Sequence, residues 1–577
     1  MHGATSDHVV VIGGGPVGLS AAIGLGRLGV PVTLFERHSD TARHPRGHVV
    51  NVRTMEILRG WGLADQVRAA GLPAQRNIGT AFCVRMTGPL LGTIVSRGAD
   101  PVHDARVRSW GPEQKSSCPQ DVLEPILKAG AEATPGVTIR FGAEVTALSQ
   151  DADGVDVVVR TEGGDEEKVR AAYVIAADGA YSPTRDRLGI SMSGADRIGN
   201  QMGVYFHADL WEHVKDHPYL LWWVYNAQAS GVLIALDGRS RWTFNFAYDA
   251  EREDVASFTE GRCIELIREA VGVPDLDVDL RSARPWTMRA QTAERMRAGR
   301  VFLAGDAAHP LPPTGGQGMN TGVGDVHNLA WKIAAVLAGS AEPALLDTYE
   351  TERAPVARFN VEQSHRNARV MADAGLGGMV RNDDDLIASL EHLDAAGHAA
   401  LQASIESQRD HFDYHGQVLG VTYRSTAITD RGEPVPPLTI RDYVPVARPG
   451  SRAPHAWLDA DRTHSLLDDF VGPRFTLVTT EAGWPHWSRA FDEVAPELVV
   501  RVVDAEDTSP DRDLVALYEL GDDGAVLVRP DGHVAARADA ADAASPAAMR
   551  AALERARGRE AEPTPDLQTV PTREERS

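Results

Sequence analysis

One stretch limits the fold of this chain more than any other: VVVIGGGPVGLSAAIGLGRLGVPVTLFE, residues 9–36. It opens with an unbroken run, Val9 to Ile12. So short a β-branched run reads as a strand buried on both faces. Gly13, Gly15 and Gly18 follow in G-x-G-x-x-G spacing, and Ala21, Ala22, Leu25 and Leu28 then recur at helical intervals. Gly29 stops that helix, Val30 to Phe35 reads as the next strand, and Glu36 closes it. The expected roles are distinct. Gly13 permits the turn out of the strand, Gly15 lets a pyrophosphate approach bare backbone, and Gly18 lets helix and strand pack closely. Pro16 and Val17, between these glycines, count with the same candidate site, where the helix N-terminus turns free N–H groups towards phosphate. Glu36 can accept hydrogen bonds from ribose hydroxyls. Strand, glycines, helix, second strand and acid in that order predict a dinucleotide site.

The chain of 577 residues exceeds one compact domain. Its formal net charge of −23 disfavours nucleic acid or an anionic membrane as partner, because both would repel it. Cys83, Cys118 and Cys263 form no CxxC and no metal-ligand spacing, so neither a disulfide scaffold nor a metal site is expected. Buried thiols in a reducing cytoplasm are the simplest reading. The opening residues MHGATSDH carry no secretion pattern, and no apolar run approaches bilayer length.

Further along, Arg37 to Arg53 forms a basic loop before a predicted helix containing Met55, Leu58 and Trp61. It reads equally as a solvated loop or as a wall for phosphate or substrate. Gln120 to Ala133 has helical spacing, and the apolar strand Tyr173 to Ala177 ends in Asp178-Gly179. From Gln201 to Tyr248 the segments become short, aromatic and β-rich, with a hairpin turn at Asp237-Gly238, which predicts an inserted antiparallel sheet. Trp222, Trp223, Phe244, Phe246 and Trp286 are its candidates for an aromatic substrate pocket, and ordinary core is the competing reading. A second diagnostic stretch, LAGDAAHPLPPTGGQGMN, runs strand, Gly305-Asp306 and proline-glycine loop, then enters an amphipathic helix. The helix would aim its N-terminus at whatever occupies the loop, with the Met319 and Asn320 N–H groups placed to stabilise negative charge. Strands are expected at Phe475 to Val478, Leu498 to Val503 and Ala525 to Val528, a hairpin at Arg529 to His533, and a helix from Ala544 to Ala556.

Three stretches in this order, GGGPVG with Glu36, AADGAYSPTR and AGDAAHPLPPTGGQGMN, resemble the flavoprotein aromatic hydroxylases, the p-hydroxybenzoate and phenol hydroxylase family, over about residues 7–365. PGSRAP at 449–454 and LVRPDG resemble the thioredoxin-like extension of its phenol and aromatic-polyketide branch. The resemblance implies an α/β protein: a Rossmann-like FAD-binding domain with an inserted antiparallel-sheet substrate domain, plus a C-terminal thioredoxin-like α/β domain. The expected division is 1–76, 100–186 and 282–370 for FAD, and 77–99 with 187–281 for substrate. A helical connection would take 371–422, a thioredoxin-like domain without CxxC 423–558, and a disordered tail 559–577.

By the same resemblance, Arg37, Arg46 and Gln120 would contact the phosphates and ribityl chain. Asp178 belongs to a motif linked to FAD and pyridine nucleotide, which Arg185 continues. Gly305 and Asp306 would hold the ribityl chain, and Pro313, Gly316 and Gly318 would lie along the ring edge. FAD is the implied cofactor and NADPH or NADH a transient reductant, since no second dinucleotide unit is present. The implied reaction is monooxygenation of a phenolic or polycyclic, polyketide-like aromatic substrate with O2 through a flavin C4a-hydroperoxide. Baeyer–Villiger or epoxidising chemistry is the alternative, and a non-catalytic flavin-binding sensor a more distant one. A base that ionises the phenol is sought among His48, Arg53, Tyr205, His207 and Tyr225. A homodimer involving the C-terminal domain is the oligomeric expectation.

Overall fold

The computed structural model describes residues 7–96, 98, 100–373, 390, 393–491, 498–503, 513–539 and 545–559. Strand Val9–Ile12 lies in the middle of a six-stranded sheet, between Val32–Glu36 and Tyr173–Ala176, all parallel. Its four residues are buried on both faces, which is why the segment is uniformly apolar. On one face pack the helices Pro16–Arg27, Gln120–Glu132 and Gly318–Leu337, through Leu19, Ile23, Leu127, Leu329 and Ile333. The other face is covered by a three-stranded antiparallel sheet, residues 143–171, whose Val145, Val155 and Val157 meet Val10 and Phe35.

The inserted sheet has seven strands, in the order Asp279–Ala293, Met192–His207, Arg241–Tyr248, Gly231–Ala235, Leu221–Val224, Gly79–Cys83 and Leu90–Val95. It departs from a purely antiparallel sheet at one pair: Leu221–Val224 runs parallel to Gly79–Cys83. The latter strand arrives from the nucleotide-binding part rather than through a hairpin, so nothing forces reversal.

The C-terminal sheet has the order Leu498–Val503, Phe475–Thr480, Ala525–Val528, Val534–Ala538, with the first pair parallel and the others antiparallel. With helices Trp484–Phe491 and Ser545–Ala556, this is a thioredoxin-like arrangement that holds no cysteine. The expected tail from 560 onward and the Gly375–Gly378 cluster lie outside the described residues. Among the described residues no helix is long and apolar enough to cross a membrane, and no group of His, Cys, Asp and Glu side chains could hold a metal ion.

Candidate active site

The glycines of the first turn are each under a different constraint. Gly13 has φ +107, and a side chain there would collide with the Ala177 carbonyl. A side chain at Gly18 would strike the Gly13 carbonyl. Gly15 has nothing within 4 Å of where a Cβ would stand, in front of the helix that Pro16 begins. The two crowded glycines hold the turn together, and the open one leaves the cradle a pyrophosphate needs. Glu36 is oriented by Gly14 N–H (2.6 Å) and His38 N–H (2.9 Å) at the edge of this cradle. Val17 faces inward, against Gly305 and Gly322, so it joins the two glycine motifs rather than lining the cradle. Arg37 and Arg46 are exposed on the adjoining loop. Gln120 N–H bonds Gly47 O (2.8 Å), and its side chain bonds Glu124 (2.6 Å). These contacts fix where the basic loop meets helix Gln120–Glu132.

The second motif forms the other half. Gly305 (φ +60) turns the chain after strand Val301–Leu303, and Asp306 follows at the base of the cleft. Solvent reaches the Asp306 side chain, yet protein surrounds it, and this desolvation raises its pKa against the pull of His309 and Arg46. Pro313 is exposed, and Gly315 (φ +94) and Gly316 (φ +62) bend the loop back into helix Gly318–Leu337. A Cβ at Gly316 would meet Val49 at 2.8 Å. The backbone N–H groups of Gly318, Met319 and Asn320 have no backbone acceptor, as expected for a helix's first turn. The Asn320 side chain is otherwise engaged: Nδ2 donates to Val49 O (2.9 Å) and Gly316 O (2.7 Å), while Oδ1 accepts from Asn51 N–H (2.9 Å). Only its backbone remains for a ligand.

Behind this loop lies a buried network. Asp325 accepts from Gly305 N–H (3.1 Å), from His309 Nε2 (2.6 Å) and from Arg353 Nε (2.9 Å). Arg353 also donates to Thr321 O (3.1 Å) and Tyr423 OH (3.0 Å). Sequence motifs missed these residues. A signal existed, because Thr321, Asp325, Asn328 and Lys332 recur on one side of an otherwise apolar helix and mark a second, polar buried face.

Several of the expected site residues have protein partners of their own. Asp178 accepts from Ser182 Oγ (2.5 Å) and Thr184 N–H (3.0 Å), which shapes the turn into Pro183–Arg187. Arg185 is buried and ties Ala180 O to Ala307 O, which braces the Gly305 turn. Arg53 bonds Glu56 (3.0 Å) and Asp531 O (2.7 Å) and so fastens the C-terminal domain. His48 bonds Ser117 Oγ (3.2 Å), and desolvation lowers its pKa to about 4. Tyr225 is fully buried and stacked on Phe82 at 6.5 Å, and desolvation raises its pKa, which keeps the phenol protonated.

The aromatic candidates separate by strand alternation. Trp222, Phe244 and Phe246 point into the core shared with helix Glu260–Val271, through Cys263, Ile267 and Val271. They are core residues, not pocket walls, because successive side chains face opposite ways. Trp223 and Trp286 lie on the other face, with Phe82, Val232 and Met288. That face adjoins the glycine loop. Gln291 and Ala293 N–H bond Pro310 O (3.1 Å) and Ala308 O (2.7 Å), and a Cβ at Gly315 would lie 4.0 Å from His411 O. The His411 ring stands 6.5 Å from Trp223. Tyr205 is on this face too, bonded to His207 Nε2 (2.9 Å) and Arg241 Nε (2.9 Å), with its ring edge-on to His44 at 6.4 Å. Arg241 pairs in turn with Asp121.

Comparison with known proteins adds the following. Residues 7–364 match the family described as FAD binding domain, and residues 446–559 the one described as aromatic-ring hydroxylase, C-terminal. The tetracenomycin A2 monooxygenase-dioxygenase of Streptomyces glaucescens is 36% identical over 575 residues, covering 95% of this chain and 96% of that protein. The flavin-dependent monooxygenase PieE, solved with FAD and substrate, superposes with a TM-score of 0.87 at 34% identity, covering 95% of this chain and 99% of that one. Aklavinone-11 hydroxylase, solved with FAD and aklavinone, gives 0.81 at 34% identity, with 96% and 99% coverage.

Proposed function

The chain belongs to the class A FAD-dependent aromatic hydroxylases, and from that premise we propose that it hydroxylates a planar, fused-ring phenol of the aromatic-polyketide kind with a pyridine nucleotide as reductant. It is an FAD-dependent monooxygenase. Bound FAD, once reduced, activates O2 and supplies the oxygen atom to the ring.

The observation that carries the substrate class is the register of the inserted sheet. Gly203, Asn245, Val232 and Trp223 stand side by side on four neighbouring strands, on the face beside the Gly315 loop. Three strand spacings make a floor about 14 Å long. Gly203 contributes no side chain of its own, and Asn245, His44 and Trp286 close around it, while Trp223 stands at the far end of the row. That length suits fused rings better than a single one. Asn245 and the neighbouring Gln201 supply the floor with polar groups.

The remaining residues divide the work. Gly15 and the helix behind it receive the pyrophosphate, Glu36 the ribose, and Asp306 the ribityl chain. The N–H groups of Gly318, Met319 and Asn320, which have no backbone acceptor, would be available to stabilise negative charge on the reduced ring. Trp223, Phe82 and Met288 exclude water from the oxygen-transfer face. Tyr205 accepts from Arg241, so its own proton points to His207. Desolvation lowers the His207 pKa, so that ring is neutral, and its contact with Tyr205 would link it to a substrate hydroxyl.

The test is NADPH and NADH oxidation by the holoenzyme with and without polycyclic phenols, under 18O2, with product mass and connectivity. One labelled oxygen on a ring carbon, with accelerated reductant use, is expected. Stoichiometric peroxide with every ring offered would make the protein an oxidase. A lactone or epoxide of the same mass would overturn hydroxylation.

A further inference from the structure

Two ring nitrogens at the closed end of the proposed substrate face have no part in the scheme above. His411 is 6% exposed and Trp223 3%. Neither His411 Nδ1 nor Trp223 Nε1 finds a hydrogen-bond partner among the described residues. Buried polar atoms are nearly always partnered, and leaving one bare is unfavourable. The two rings come from segments far apart in sequence and meet at 6.5 Å with an interplanar angle of 63°. His411 is held by its neighbours: it stacks on Phe412 at 4.4 Å, and Lys115 Nζ anchors the Phe412 carbonyl at 2.9 Å. The backbone of His411 also borders Gly315, in the loop that turns into the flavin-facing helix.

We propose that His411 and Trp223 form a polar end-wall of the substrate pocket and hydrogen-bond, through Nδ1 and Nε1, a hydroxyl and a neighbouring carbonyl on one edge of the fused-ring substrate. The assignment rests on the substrate class proposed above and adds which edge of the ring system enters first. An indole N–H can only donate, so its partner is an acceptor oxygen. Desolvation lowers the His411 pKa to about 3, so its ring is neutral and one nitrogen is free to accept from a hydroxyl. The packing around this pair is apolar, through Phe82, Val232 and Met288 on the sheet and Leu401, Ile405 and Phe412 opposite it. Polar recognition is therefore concentrated at the end-wall, which fixes how far the ring system slides along the floor and hence which carbon meets the flavin.

The experiment uses the holoenzyme and two probes, 1,8-dihydroxyanthraquinone and unsubstituted anthraquinone, titrated by the change each causes in the flavin absorption spectrum. FAD content is measured first; should His411→Phe not retain FAD, His411→Leu is read in its place. The His411 variant should bind the dihydroxy probe about tenfold more weakly and anthraquinone unchanged, because only the hydroxyl contact is gone. Trp223→Phe should weaken both, because both carry the carbonyl. Equal weakening of both probes by the His411 variant, or weakening of neither, overturns the assignment while leaving the fused-ring reading intact. If neither probe perturbs the wild-type flavin, the fused-ring reading fails and the assignment with it.

Discussion

At the scale of single residues, the glycines of the first motif make separable predictions because their surroundings differ. Gly15 has open space where its Cβ would lie, so Gly15→Ala should fold as the wild type does. The added methyl would stand where phosphate approaches the backbone, and FAD should bind at least tenfold more weakly. Gly18→Ala meets the Gly13 carbonyl instead, so it should lower the stability of the apoprotein itself, by about 1–3 kcal/mol as for other overpacked sites. Thermal unfolding of apoprotein, paired with FAD titration, separates the two; the reading fails if Gly15→Ala destabilises the apoprotein as much as Gly18→Ala does. Asp306 offers a third case. It lies in a desolvated cleft with its pKa raised, and a ribityl hydroxyl donating to the carboxylate would offset that desolvation. Asp306→Ala should weaken FAD retention by about 1.5–3 kcal/mol, the range for a hydrogen bond to a charged group. Equilibrium dialysis of FAD would show it, and an unchanged affinity would remove Asp306 from the site.

At the scale of elements, the inserted sheet shows what could be read from the sequence and what could not. The glycine turn, its helix and the strands before and after it were legible because each step has a required residue type at a fixed offset. The C-terminal strands and the Arg529–His533 hairpin were legible for similar reasons. Which aromatic side chains turn towards the Gly315 loop was not. Trp222 and Trp223 are adjacent and alike, both buried, and only the pairing of Leu221–Val224 with its neighbours decides which enters the core around helix Glu260–Val271. Composition carries no register, and a one-residue slip exchanges the two faces. The catalytic candidates were no better constrained: His48, Arg53 and Tyr225 were chosen by type, and their burial and partners come from distant segments. The resulting prediction concerns Trp222. Trp222→Ala should cost about 3–5 kcal/mol in stability, as for a large aromatic removed from a packed core. Trp223→Phe, which keeps the ring, should cost far less and act on ligand binding. Urea unfolding of the two variants checks this, and equal destabilisation would argue that both tryptophans are core.

At the scale of the whole molecule, the C-terminal motifs act as docking devices whose contacts run back to the flavin loop. PGSRAP supplies Arg452, buried against Glu56, and LVRPDG supplies Arg529, which bonds both oxygens of Glu352 (2.7 and 2.9 Å). Glu352 also accepts from Lys332 (2.8 Å), and Arg529 pairs with Asp531 (2.5 Å), all of them buried. Next to this cluster, His533 stacks on Tyr423 at 4.2 Å, Tyr423 bonds Arg353, and Arg353 holds Asp325, which holds the Gly305 turn. Loosening the C-terminal domain should therefore loosen FAD. Burial alone would raise the carboxyl pKa values of Glu352 and Asp531, but Arg529, with Lys332 beside Glu352 and His533 beside Asp531, overcomes it and holds both below their ordinary 4.5 and 3.8. The native state then binds fewer protons than the unfolded chain in the acid range. This stabilisation is complete above about pH 4.5 and is lost as pH falls towards the depressed native values. Lys332, lowered to about 8 chiefly by burial, is a cost at neutral pH that is relieved only at alkaline pH, where the native state releases its proton before the unfolded chain does and stability again rises with pH. Glu352→Gln leaves Arg529 and Lys332 without their shared carboxylate and should cost about 3–5 kcal/mol at neutral pH. It should also flatten the acid limb of the stability profile, because one of the depressed carboxyl groups is gone. Denaturant unfolding from pH 7 to pH 4, with released FAD followed by its fluorescence, measures both effects. A variant that loses stability at neutral pH yet keeps the wild-type acid slope would place that titration elsewhere, and one that keeps FAD through the loosening would show that the flavin loop stands without the C-terminal domain.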